Sequence, residues 1–258
     1  MDVGASTARM CRSVISGVMG LAVRYGAVAL NPVREVESIE AQPKRLSRAF
    51  TPGEWIAWLE QLRSDEKAIA RDLPDLSLFM MGTGVRIGEA LAVLGAQVDL
   101  DAAQVEVTHT IIRVKGVGLI RKTTKSRAGE RLLKLPASVV AMLRARLGAG
   151  LPLDGPLFPN TLGGFRDSNN TRRELRDARG DGLLSWVTSH NFRKSVATIL
   201  DDAGHSGRQV ADQIGHSQVS LAQNVYLARK VANPQAAKDI ELFLALPGSN
   251  QSQNEKDG

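Results

Sequence analysis

The chain has 258 residues, 43% hydrophobic and 23% charged, which suits one substantial soluble core with a smaller appendage. No run of about 18 apolar residues occurs and no basic-then-apolar leader opens the chain, so neither a membrane span nor a secretory signal is expected. A net charge of +6 favours polyanionic partners such as nucleic acid. The single cysteine, Cys11, excludes an internal disulfide and a cysteine-cluster zinc site, reads as a small buried apolar residue, and fits a reducing cytoplasm.

Residues 6–25 carry a helical rhythm, with Val14, Val18, Leu21 and Val23 among polar neighbours and Thr7 or Ser6 as the cap. Asn31-Pro32 stops that helix, because the residue before proline is pushed out of the α region. Residues 36–48 have no sustained period and read as a linker containing the basic pair Lys44-Arg45. A fresh start follows at Thr51-Pro52-Gly53-Glu54, a capping box with proline at the first helical position. Trp55, Leu59 and Leu62 then share one face. The expected division is residues 1–46 as a helical piece plus linker, 47–247 as the main domain, and 248–258 as a polar, disordered tail.

Leu73 to Met81 is a strongly apolar helix ending at Gly82-Thr83-Gly84, where glycine permits positive φ or close backbone approach. The next helix begins at Val85-Arg86 and runs to Val93. Arg86 projects from its first turn, either paired with Glu89 or aimed at a ligand.

Residues 97–136 change period. Val105, Val107, His109 and Ile111 alternate with Glu106, Thr108, Thr110 and Ile112 as one strand. Gly116-Val117-Gly118 turns the chain, Lys125 to Gly129 makes a basic turn, and Arg131 to Leu135 is a third strand. Lys122, Lys125, Arg127 and Arg131 are expected at the hairpin tips of this small antiparallel sheet.

Pro136 opens a helix through Leu147, and Leu157-Phe158-Pro159 anchors the loop that follows. Asn170 caps a helix carrying Arg172, Arg173, Arg176 and Arg179, which is either a solvated face or a track along a phosphate backbone. Thr188 or Ser189 caps the helix of Phe192, Val196 and Ile199, which Gly204-His205 breaks. Gln209 to Ile214 is helical again, Gly215-His216 ends it, and residues 218–229 carry Tyr226. Gln235 to Leu246 is amphipathic, with Ala236, Ile240, Phe243 and Leu244 on one side. The chain is therefore mainly α with a small antiparallel β-sheet, an α+β fold.

His190, Arg193, His216 and Tyr226 together offer a proton acceptor, a fixed cation, a second imidazole and a phenolic oxygen. No carboxylate cluster suits Mg²⁺ and no G-x-x-x-x-G-K loop is present, so no metal or nucleotide cofactor is expected.

Thr83-Gly84-Val85-Arg86-Ile87-Gly88-Glu89-Ala90-Leu91 resembles the first arginine box of the tyrosine recombinases, the phage integrase family. His190-Asn191-Phe192-Arg193 is similar to that family's His-x-x-Arg box, and Ile214-Gly215-His216-Ser217 with Tyr226 to its nucleophile segment. Lys125-Ser126-Arg127-Ala128-Gly129-Glu130-Arg131 resembles its lysine hairpin. All these boxes stand in the family's order, across about residues 6–246.

The resemblance implies a metal- and ATP-independent site-specific recombinase with the tyrosine recombinase catalytic fold, acting on double-stranded DNA in the bacterial cytoplasm. It makes Tyr226 the nucleophile of a 3′-phosphotyrosine link. Arg86 and Arg193 would then bind the non-bridging oxygens, Glu89 would orient Arg86, His190 would accept the phenolic proton, and His216 would donate to a phosphoryl oxygen. Lys125 fits as the acid for the departing 5′-oxygen, and Lys122 is the alternative. Lys122, Arg127, Arg131, Arg172, Arg173 and Arg176 would contact DNA. The C-terminal helix would join a homotetramer on DNA or pack on its own domain.

Relatives carry a complete helical core-binding domain, whereas residues 1–46 resemble only its last helix or two, as in a shortened chain. Two other functions remain: a non-catalytic integrase fragment that only binds DNA, and a type IB topoisomerase-like relaxer.

Overall fold

The computed structural model describes residues 4–39, 48–124, 129–215 and 232–245. Two compact units divide the chain, Met1–Leu46 and Ser47–Gly258.

In the first unit, α1 (Ala5–Arg24) starts from Gly4, which has no side chain to cap it, rather than from Ser6 or Thr7. It also stops before Asn31-Pro32, since Gly26 takes a φ of 71° just past its end. Asn31 instead caps a single 3-10 turn, Pro32–Arg34, by accepting from the Val33 N–H at 3.1 Å. The returning segment is tied back by Arg9 donating to Ile39 O and Arg12 donating to Glu37 O. Cys11 is exposed, against the buried position expected, because it lies on α1 beside the likewise exposed Met10, Val14 and Val18.

The second unit opens with α2 (Pro52–Ser64), and both halves of the Thr51/Glu54 capping box form. That cap fixes the face that buries Trp55, Trp58 and Leu62. Phe50, Trp55 and Trp58 surround Phe192, at ring-centroid distances of 5.5, 6.3 and 6.2 Å. The Trp58 indole N–H donates to Ser77 Oγ, so its burial strands no polar atom.

After the short α3 (Glu66–Ala70), the apolar stretch forms α4 (Leu73–Thr83), buried along most of its length. Only one of its two glycines supplies a positive φ. Gly84 closes the helix at φ 71°, whereas Gly82 stays helical and serves close approach instead, since a Cβ there would lie 2.4 Å from Val139. The next helix is much shorter than expected: α5 covers only Ile87–Ala90, with Arg86 as its N-cap.

The sheet also departs from expectation. Short β1 (Val98–Asp99), β2 (Gln104–Val107) and β5 (Arg131–Lys134) form one antiparallel sheet in the order β1-β2-β5. A second sheet holds β3 (His109–Val114) and β4 (Gly118–Thr123). The alternation runs on through Thr108, but the chain changes sheets there. The Gln97 amide donates to Glu106 O and Thr108 Oγ1, and Thr108 O accepts from the Thr124 N–H in the register of the β3–β4 pair, so the chain leaves β5 here and joins β4. Val114 pairs with Gly118 at the β3–β4 tip and Thr110 with Lys122, so Lys122 lies at the end of β4 away from that tip, three residues before Lys125.

From Pro136 the chain forms α6 (Ala137–Gly148), and the loop after it is anchored by fully buried Leu157 and Phe158. Helix α7 (Ser168–Arg179) is capped by Asp167, whose carboxylate accepts from the N–H groups of Asn169 and Asn170, and not by Asn170. Helix α8 (Ser189–Asp202) follows Thr188, whose N–H and hydroxyl both donate to Asn191 Oδ1. Ser206 and Gln209 form a capping box that starts α9 (Gly207–Ile214) ahead of Gln209, and Gly215 ends it at φ 65°.

Helix α10 (Pro234–Ala245) lays Ala236 and Ile240 against Val196, Leu200 and Ile214 of its own unit. Its polar side is fastened too, by Ser138 donating to Glu241 and by a 2.6 Å His205–Asp239 pair. The fold is mainly α with small antiparallel sheets, in agreement with the expectation.

Phe192 is the shared neighbour of three aromatic rings and sits between Asn191 and Arg193. We predict that Phe192→Ala costs about 3–5 kcal/mol of unfolding free energy, measured by urea denaturation, since a buried aromatic leaves a cavity that rigid neighbours cannot fill.

Candidate active site

The site forms where α4, α5, α8 and α9 end or begin. Gly84, in the left-handed conformation, ends α4 and turns its carbonyl toward Arg193. An added Cβ at Gly84 would sit 3.0 Å from Val196 on α8, so glycine also sets the close approach of these helices. Two residues on, the N-cap position of α5 holds Arg86, whose N–H donates to Glu89 Oε2 at 3.0 Å.

Three arginines converge on the end of α9. Arg131 Nε donates to Gln213 O at 3.0 Å, Arg193 Nη1 donates to Ile214 O, and Arg86 Nη2 donates to Gly215 O at 3.3 Å. Consecutive carbonyls thus each receive one guanidinium. A helix leaves its last carbonyls without intrahelical partners and carries partial negative charge there, so cations satisfy both needs.

Glu89 lies in the middle, 3% exposed. Its Oε1 accepts from Arg86 Nη1 at 2.8 Å and its Oε2 from Arg131 Nη2 at 2.9 Å. Burial pushes the Glu89 carboxyl up. The Arg131 charge, with hydrogen bonds from Arg86 and Arg131, outweighs that and holds it below the usual glutamate range. Burial, and next the neighbouring Arg86 charge, depress the Arg193 guanidinium to about 9, so it stays cationic at neutral pH.

The arginines differ in what they have left to offer. The Arg86 side chain is 48% exposed, whereas Arg193 is only 4% exposed. Arg193 Nη1 is committed to Gly84 O and Ile214 O, but its buried Nη2 has no hydrogen-bond partner among the described residues. Among the described residues, three guanidiniums against one carboxylate leave the cluster with net positive charge, and the unpaired Arg193 Nη2 is a buried donor left unsatisfied.

Of the expected residues, Arg86, Glu89 and Arg193 come together here. His190 is exposed on the first turn of α8, one turn before Arg193. Lys122 is exposed on β4. Arg131 is the clear correction. Placed by sequence at a DNA-facing tip, it is instead 6% exposed inside β5, because Glu89 and the Gln213 carbonyl draw its guanidinium inward.

Arg172, Arg173 and Arg176 are exposed on α7, the first two hydrogen-bonded to Asn169 and Asn170. Arg172 and Arg86 line one cleft with Gly88, Thr110, Arg113 and Ser168. Lys125, Arg127, His216 and Tyr226 lie outside the described residues.

Sequence reasoning missed Gln213 and Asn191. The Gln213 amide donates to Thr83 O, while its carbonyl holds Arg131. Asn191 donates to Arg48 O and accepts from Thr188 at the start of α8. The signal for Asn191 was its place three residues after a threonine cap. Gln213 acts through its carbonyl, which no side-chain pattern reveals.

A small α+β fold with paired guanidiniums at a helix end is that of the tyrosine recombinase class. A model of the phage integrase family matches residues 60–232, more than half of the chain, and the chain belongs to that family. It is 28% identical over 226 residues to tyrosine recombinase XerD of Mycobacterium leprae, covering 86% of this chain and 69% of that protein. It is 31% identical over 208 residues to tyrosine recombinase XerC of Mesorhizobium japonicum, covering 79% of this chain and 60% of that one. The chain therefore spans under two thirds of the XerC relative's length. Among solved structures, the Tn1549 transposon integrase in complex with a circular intermediate DNA has the same fold, with a TM-score of 0.71 and 18% identity. The match covers 94% of this chain and 80% of that one.

Glu89 gives a pH prediction. Its folded pKa is lowered, so its contribution to stability is complete above the unfolded value of about 4.3 and fades as pH falls through the folded value. We predict that Glu89→Gln makes the acid limb of a stability-against-pH curve shallower, while wild type and variant run parallel above about pH 5. Chemical denaturation at a series of pH values reads this directly.

Proposed function

We propose that this chain cleaves and rejoins DNA strands as a site-specific recombinase, through a 3′-phosphotyrosine link at Tyr226. The observation that carries the reading is the pair Arg86 and Arg193, seated on adjacent carbonyls at the end of α9, with Arg193 Nη2 uncommitted. Phenol attack on a phosphodiester builds charge on the non-bridging oxygens of a five-coordinate phosphorus. Two guanidiniums fixed beforehand stabilise that charge without reorganising during the reaction.

In the reaction, the Tyr226 oxygen bonds to phosphorus as the bond to the 5′-oxygen breaks. His190 takes the phenolic proton, and its exposed place one turn before Arg193 suits this. Lys125, or Lys122 in its stead, protonates the departing 5′-oxygen. His216 directly follows Gly215, whose carbonyl binds Arg86, and donates to a phosphoryl oxygen. Glu89 orients Arg86. The phosphotyrosine ester keeps the energy of the broken bond, so a free 5′-hydroxyl can reseal the strand without ATP.

The partner is double-stranded DNA. Arg172, Arg173 and Arg176 of α7, with Lys122 and Arg127, follow the backbone beside the scissile phosphate. Arg172 favours this by sharing a cleft with Arg86. Residues 1–46 serve as part of a core-binding domain that helps grip DNA, and residues 47–247 supply the chemistry. Four copies assemble on paired sites through α10, on which Leu242 remains 66% exposed while Ala236 and Ile240 pack inward.

The test is a suicide DNA substrate nicked beside the cleavage point. Wild type is expected to accumulate a covalent protein–DNA complex and Tyr226→Phe none. Arg193→Ala should lower the cleavage rate by about 10²–10³-fold while keeping most DNA affinity. No adduct on any site, or an adduct that survives Tyr226→Phe, overturns the proposal.

A further inference from the structure

We infer that Arg131 is the positioning residue that sets three separate catalytic segments of this site relative to one another. The inference rests on the recombinase reading and adds to it a residue that touches no substrate.

A buried guanidinium is costly unless its donors are met. Arg131 meets that cost in three directions at once. Nη2 donates to Glu89 Oε2 at 2.9 Å, Nε to Gln213 O at 3.0 Å, and Nη1 to Gly129 O at 3.1 Å. Each anchor adjoins one proposed catalytic group. Glu89 holds Arg86; Gln213 stands three residues before His216; Gly129 stands four residues after Lys125. The planar fork of one arginine therefore fixes the grip on Arg86, the carbonyl end of α9 and the base of the lysine hairpin.

A lysine keeps the charge but cannot reach three acceptors along fixed directions. The electrostatics point the same way. The Arg131 charge is the largest influence lowering the Glu89 carboxyl, and Glu89 in turn partly offsets the effect of burial on Arg131. Without Arg131, Glu89 is a buried carboxylate left with only Arg86. It then takes up a proton more readily, and a neutral Glu89 loses its charged grip on Arg86.

The experiment compares wild type, Arg131→Lys, Arg131→Met and Arg131→Met/Glu89→Gln on the nicked suicide substrate. Single-turnover cleavage, DNA affinity and thermal unfolding are read for each. Arg131→Lys should fold and bind DNA like wild type yet cleave on the order of a hundredfold more slowly, as expected when catalytic groups are misplaced. Arg131→Met should gain an acid limb in its pH–rate profile, falling as pH drops through the raised Glu89 pKa, and the added Glu89→Gln should abolish that limb.

A purely structural arginine would instead lower the folded fraction and leave the pH profile of the folded remainder unchanged. That outcome overturns the inference, as does wild-type cleavage by Arg131→Lys. Carboxyl ¹³C NMR of Glu89 in wild type and Arg131→Met separates the two levels. If wild type forms no Tyr226 adduct, the recombinase reading falls and takes the catalytic part of this inference with it. A Glu89 titration unmoved by Arg131→Met refutes the positioning role whether or not cleavage occurs.

Discussion

Helix α9 ends in carbonyl groups that the helix itself cannot satisfy, and the site is built on how they are met. Arg131, Arg193 and Arg86 take the carbonyls of Gln213, Ile214 and Gly215 in succession. Three like charges so close would repel one another strongly in a buried setting. Glu89 relieves this by accepting from two of them, while Arg193 shares only its field. Remove the carboxylate and the cluster loses its one negative charge; remove the carbonyls and the guanidiniums lose their fixed directions.

The hydrophobic scaffold exists at this point to hold helix ends, not to enclose a cavity. Phe192, packed among Phe50, Trp55 and Trp58, pins the first turns of α8 to α2 and so fixes Arg193 on the next residue. Gly82 lets α4 approach α6, and Gly84 lets it approach α8 and reverse toward Arg86. On the other side of α8, Val196 and Leu200 share a small apolar cluster with Ile214 and with Ala236 and Ile240 of α10. The residue whose carbonyl binds Arg193 is thus itself held by apolar packing, which couples core stability to site geometry.

Much of this was legible in the sequence because local signals carried it. The Thr51 capping box, the glycine end of α4, the Gly116-Val117-Gly118 turn and the amphipathic α10 are short-range features and formed as expected. Arg86, Glu89 and Arg193 were legible as side-chain types in ordered boxes. The illegible part depended on partners distant in the chain. Period-2 alternation continues through Thr108, so only the tertiary bonds of Gln97 and Thr124 disclose the switch between sheets. Arg131 reads as a hairpin cation until Glu89, far earlier in the chain, draws it inside. Main-chain acceptors such as Gln213 O leave no trace in residue identity at all.

The proposed chemistry reduces to one physical statement: Arg86 and Arg193 would act by meeting negative charge on the non-bridging oxygens of the scissile phosphate. Charge removal on the DNA isolates that statement from folding and from general affinity. The direct measurement is single-turnover cleavage by wild type and Arg193→Ala on matched substrates, one with the natural scissile phosphate and one with a neutral methylphosphonate in its place. If Arg193 stabilises developing charge, Arg193→Ala is severely slowed on the phosphate and recovers much of the lost rate on the methylphosphonate. Equal impairment on both substrates would contradict that role and reduce Arg193 to a structural tie between α8 and α9.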